Sequence, residues 1–125
     1  MAGTLSKSKT RRNFKTRFPG RAGGFSRPTL DIPDLCHSET GSRVSVLGRI
    51  VRLAEEQNPK GLWIEMEEAG EGVELWLEEP VAQAMKPLQL SEGDIIIGSG
   101  VFNKEEGPLL GTIDVRNPSD IIPLR

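Results

Sequence analysis

The chain has 125 residues, with 16 Lys/Arg, 18 Asp/Glu and one His for a formal net charge of −2, and that length holds one full domain core but not two. The charge is divided: residues 1–30 carry eight Lys/Arg and no Asp/Glu, whereas residues 31–125 carry eight Lys/Arg against eighteen Asp/Glu. This excludes a uniformly basic nucleic-acid binder and a uniformly acidic disordered chain, and no run approaches the roughly 18 apolar residues of a membrane span or the apolar core of a secretory signal.

Residues 1–30 are predicted to be a disordered basic arm and linker, because Gly, Ser, Pro and cations with almost no aliphatic side chains cannot offset the entropy of ordering. Phe14, Phe18 and Phe25 alternate with Arg11, Arg12, Lys15, Arg17, Arg21 and Arg27, a pattern in which cations meet phosphates while rings stack on bases. Two other readings stay open, a solvated tail without a partner and an acid-free organellar transit peptide. Pro19, Gly20, Gly23 and Gly24 work against the amphipathic helix that the latter needs. Without such targeting the expected location is intracellular, cytoplasmic or nuclear, and no membrane partner is expected.

Pro28 to Pro33 reads as an extended connector, since each proline blocks regular pairing and biases the residue before it. A single Cys36 can form no internal disulfide, and with only His37 beside it is too little for a structural zinc site. The pair reads either as a thiol activated by an adjacent imidazolium or as a small packed thiol beside an exposed ring. No metal and no cofactor is expected.

The body, residues 31–125, then shows five strand patterns. Arg43 to Leu53 is β-branched and alternating, with Val44, Val46 and Ile50 on one parity, and Gly48 marks a bulge or sharp coil. Gln57 to Gly61 supplies turn residues. Leu62 to Glu67 alternates Leu62, Ile64 and Met66 inward against Trp63, Glu65 and Glu67 outward. After the turn Ala69 to Gly72, Val73 to Glu78 places Val73, Leu75 and Leu77 inward and Glu74, Trp76 and Glu78 outward, which makes a hairpin. Glu79 to Leu90 holds a short helix with Pro80 in its first turn and Pro87 near its end. Ser91 to Asp94 is a turn that launches Ile95 to Phe102, in which Gly98 and Gly100 mark a bend or a close approach. A polar turn leads to a last strand around Leu109 to Val115, followed by a turn and an apolar exit, Ile121 to Leu124.

Five short antiparallel strands with a helix between the third and fourth give an all-β class and the order of an OB-fold, a five-stranded Greek-key barrel. The motifs strengthen this. Val46-Leu47-Gly48-Arg49-Ile50, the hairpin Leu62 to Leu77, and Glu92-Gly93-Asp94 followed by Ile95-Ile96-Ile97-Gly98-Ser99-Gly100 resemble the small OB domains of replication protein A type, of anticodon-binding domains and of the polymerase III alpha subunit. The resemblance spans about residues 40 to 122 and implies binding of single-stranded DNA or RNA across the second and third strands, with two flanking loops as clamps. Carried onto this chain, it places Trp63 and Trp76 on the binding face and Lys60 and Lys104 in the loops. Stacking of this kind tolerates any base sequence, so low specificity is expected.

The same parity also shows Glu65, Glu67, Glu74 and Glu78, and carboxylates repel a polyanion. Two sources of positive charge could compensate: a strip made of Arg49, Arg52, Lys60, Lys104 and Arg116, or the arm through Arg11, Arg12, Phe14, Lys15 and Arg17. The tryptophans could instead pack under the arm or a long loop. A different class of function remains open, an OB accessory subunit that binds protein partners in a genome-maintenance or telomere-type complex, with an exposed tryptophan as the anchor. With one His, no Tyr, no phosphate loop and no nucleophile elbow, the chain is not expected to be an enzyme.

Overall fold

The computed structural model describes residues 28–124, and the arm candidates Arg11, Arg12, Phe14, Lys15 and Arg17 lie outside them. The described chain is mostly β, arranged as one sheet with a short helix. β1 (Leu30–Asp31) pairs in parallel with β2 (Arg43–Gln57), Leu30 opposite Val46 and Asp31 opposite Leu47. The connector expected from Pro28 to Pro33 is therefore a two-residue strand that runs into a 3-10 helix, Ile32–His37. Pro33 sits in the first turn of that helix, where a missing amide costs nothing.

β2 turns Val44, Val46 and Ile50 inward as its alternation predicts. The irregularity expected at Gly48 lies instead between Ile50 and Arg52, where the register shifts. Gly48 makes room for packing, because a Cβ there would lie 2.6 Å from Ile32 Cδ1 and 3.1 Å from Met66 Cε. Its bare backbone lets the 3-10 helix close over the end of the core.

β3 (Lys60–Glu68) and β4 (Glu71–Glu78) form the predicted hairpin. Their turn is only Ala69-Gly70, both with positive φ (55° and 83°), the handedness that matches the twist of paired strands. Gly72, expected in the turn, is in the strand. α1 (Glu79–Met85) follows with Pro80 in its first turn, and a 3-10 turn at Lys86–Leu88 contains Pro87. The α-helix thus gives way to 3-10 geometry at Lys86, which precedes the proline and keeps right-handed helical backbone angles (φ −55°, ψ −41°).

β5 (Ile95–Lys104) and β6 (Gly111–Val115) complete the five long strands. The apolar exit is also a strand: β7 (Ile121–Pro123) pairs with β5, Ile97 opposite Ile122. The strand order is β1-β2-β3-β4-β6-β5-β7 with a further β2–β5 pairing. β2 holds β5 along its first half and β3 along its second, so the sheet curls into a partial ring. One expectation is corrected. β4 and β6 run parallel, Glu74 to Leu77 beside Thr112 to Val115. An odd number of strands cannot alternate direction all the way round, so one neighbour pair must be parallel.

The interior contains Val46, Ile64, Met66, Val73, Leu75, Leu77, Ile96, Phe102 and Ile113, all fully buried. Each such side chain contributes about 1.5–3 kcal/mol. Ile32 and Leu35 cover the end near Met66, while Met85 of α1 joins the same core. Gly98 admits Leu75, whose Cδ1 would lie 2.7 Å from a Cβ. Among the described residues no helix is long and apolar enough to cross a membrane.

Candidate nucleic-acid interface

A two-residue turn fixes the hairpin register, placing Trp63 opposite Trp76 and Glu65 opposite Glu74 on the outer face. β2 and β6 extend these pairs into rows, Arg52-Glu65-Glu74-Thr112 and Ala54-Trp63-Trp76-Asp114. The tryptophan centroids are 4.8 Å apart and the rings are inclined by 44°, within the range where aromatic pairs attract. Both rings point outward yet are half-buried. The indoles pack on each other, and Trp76 also lies across Gly61, where a Cβ would come within 2.7 Å of Trp76 Cζ2. The rings stand at an open depression of about 500 Å³ bordered by Glu56, Pro59, Asn103, Thr112 and Asp114. A larger depression of about 600 Å³ beside α1 is bordered by Leu53, Leu62, Met85 and Leu90 among others, and it has no aromatic side chain.

The candidate cations are each held separately and form no strip. Arg49 Nη2 lies 3.8 Å from Glu67, and Lys60 Nζ lies 3.5 Å from Glu79. Arg116 binds Asp114 at 2.7 Å. Lys104 Nζ donates to the carbonyl of Cys36 at 2.9 Å. Arg52 bridges two strands, its Nε 3.1 Å from Glu65 Oε1 and its Nη2 3.5 Å from Glu74 Oε2. Without Arg52 those two carboxylates would face each other directly. Burial, then repulsion from Glu65, pushes the Glu74 carboxyl above its ordinary range, and Arg52 opposes this.

A second carboxylate lies apart from the tryptophans. Glu68 Oε1 is buried without a hydrogen-bond partner. Burial and then the charge of Asp31 raise its pKa, with the Ile32 amide working the other way and Asp34 adding to the rise. Cys36, for which one reading was a packed thiol, is exposed on the 3-10 helix, as is His37. The described residues contain no group of three or more His, Cys, Asp or Glu side chains placed to hold a metal ion.

The groove residues Glu56, Pro59, Asn103, Thr112 and Asp114, and Gly61 beneath Trp76, are not among the candidates from the sequence. The Ala69-Gly70 turn was the available signal, because it sets which outward residues stand opposite one another. On the other face, Leu47, Ile97 and Ile122 form a cross-strand row, flanked by Ile95 and Leu124. Ile95, Ile122 and Leu124 are 40%, 49% and 47% exposed.

No family model matches the sequence, and no curated protein does. Solved structures do share the fold. An OBody bound to hen egg-white lysozyme superposes with a TM-score of 0.62 at 19% identity, over 80% of this chain and 97% of that one. A second OBody bound to the same protein gives 0.55 at 20% identity, over 82% and 98%. A protein of Leishmania major Friedlin assigned as an aspartyl-tRNA synthetase gives 0.59 at 13% identity, over 85% of this chain and 22% of that longer one. At these identities the likeness establishes an OB-like fold.

Proposed function

We propose that this chain is a binding module that takes single-stranded nucleic acid, DNA or RNA, with low sequence specificity, and that it is not an enzyme. In this reading the barrel is the five-stranded OB type and the hairpin β3–β4 is its binding face. The observation that carries it is the tryptophan pair, turned outward beside an open groove on that face. Stacking on such rings is worth about 1–3 kcal/mol per base and is indifferent to base identity. The candidate cations of the body already hold carboxylates or a carbonyl, so the eight Lys/Arg of residues 1–30 provide most of the attraction for phosphate. Titration of the full chain with an oligothymidylate tests this. Tryptophan emission is expected to be quenched on binding, and Trp63→Ala is expected to weaken affinity by roughly 5- to 100-fold, the loss of one stacked base. Unchanged emission at low salt defeats the proposal.

A second reading, a protein-binding subunit of a genome-maintenance or telomere-type complex, is favoured by the outward apolar row Leu47-Ile97-Ile122 with Ile95 and Leu124. It gains if the oligonucleotide does not bind and a stable protein partner is lost on Ile122→Asp.

A further inference from the structure

The groove beside the tryptophans combines two features that attract a cation more directly than a phosphate. Its aromatic faces are Trp63 and Trp76, and its borders carry the carboxylates of Glu56 and Asp114. An aromatic face attracts a guanidinium or ammonium through its quadrupole, and a carboxylate beside it reinforces that attraction. Asp114 holds Arg116. Glu56 is exposed, with no cation on it among the described residues. The surrounding charge has the same sign, since residues 28–124 carry seven Lys/Arg against eighteen Asp/Glu.

We propose that, without nucleic acid, the groove is occupied by this chain's own residues 11–27, with an arginine or lysine side chain against the tryptophans and Glu56. The segment suits the groove by charge, with Arg11, Arg12, Lys15, Arg17, Arg21 and Arg27 and no acidic residue. Phe14, Phe18 and Phe25 add rings that can pack beside the indoles. It is also long enough. Arg17 lies 11 residues before Pro28, and that length of chain reaches up to about 36–40 Å when fully extended, against a radius of gyration near 13 Å for a domain of this size. A polyanion competes for the same cations through its phosphates. That exchange rests on the proposed nucleic-acid function, whereas the docking stands without it.

The test uses the full chain without oligonucleotide. A nitroxide is attached at Asn13→Cys in a Cys36→Ser background, and the indole N–H signals of Trp63 and Trp76 are recorded by NMR. Broadening at about 0.1 M salt that is relieved near 1 M, as the screening length falls from about 10 Å to 3 Å, and that is weakened by Glu56→Lys, supports the proposal. Equal peak intensities with the label oxidised and reduced overturn it. Broadening that persists in both Glu56→Lys and high salt overturns the charged groove as the docking site. In a mixture of isotope-labelled chains without nitroxide and unlabelled chains that carry it, broadening would identify a second copy as the occupant and overturn docking within one chain. Adding oligothymidylate afterwards is expected to restore the signals, and failure of that step alone counts against the nucleic-acid reading and leaves the docking intact.

Discussion

Gly61 holds a position on which Trp76 depends, because any side chain there meets both the ring of Trp76 and the backbone carbonyl of Leu77. Gly61→Ala is expected to lift Trp76 and to destabilise the fold by about 1–3 kcal/mol, the usual cost of overpacking. A lower denaturation midpoint together with a red-shifted tryptophan emission would show both effects. Alternation alone showed that Trp63 and Trp76 face outward. It could not show that they lie down on each other, since that follows from the cross-strand register and from the empty place at Gly61. Glu68 presents a different residue-scale consequence. Its pKa is raised in the fold, so the folded state favours the protonated carboxyl. The related stability is fully present below the unfolded value of 4.5 and is lost as pH rises through the higher folded pKa. Glu68→Gln removes the charge and is expected to be more stable than the parent at neutral pH. The advantage should vanish as pH falls through the carboxylate range, as denaturation midpoints at pH 4 and pH 7 will show.

At the scale of elements, the row Arg52-Glu65-Glu74 joins three strands by charge on a face that the core does not stabilise. Arg52→Ala leaves like charges directly opposite on β3 and β4, and the expected loss is about 0.5–1 kcal/mol at low salt, shrinking at high salt. A salt-independent difference in midpoint would refute the electrostatic origin. The five long strands and the helix were legible in the sequence because each is long enough to show a period, bounded by glycine or proline. β1 and β7 were not. Two- and three-residue strands such as Leu30–Asp31 and Ile121–Pro123 have no period to read, and they exist only because β2 and β5 offer them a free edge. The parallel β4–β6 pair was missed for a related reason, since it is a property of the ring and of neither strand.

Across the whole molecule, charge and fold are distributed differently. The acidic outer face of the hairpin was legible, but the separate capture of Arg49, Arg52, Lys60 and Arg116 was not. Each carboxylate partner lies on another strand, on α1, or two residues away, and only the three-dimensional arrangement shows which of several neighbours is reached. If the basic segment provides the charge that meets phosphate, replacing Arg11, Arg12, Lys15 and Arg17 together with Gln should reduce the log–log salt slope of oligonucleotide binding by about 0.7 for each phosphate no longer neutralised. The same slope in parent and variant would place the phosphate-binding cations elsewhere.

The proximity of the two indoles also governs what spectroscopy can report. The chain has two Trp and no Tyr, and the Trp centroids are 4.8 Å apart. Excitation is therefore shared between the rings, and the circular dichroism should contain an exciton couplet from their strongest indole transition that disappears when either indole is replaced. The protein's intrinsic emission consequently describes one spot on its surface. Unfolding followed by that emission and by far-ultraviolet dichroism will coincide only where the groove melts together with the core, so the separation of the two curves measures how independently the groove can open.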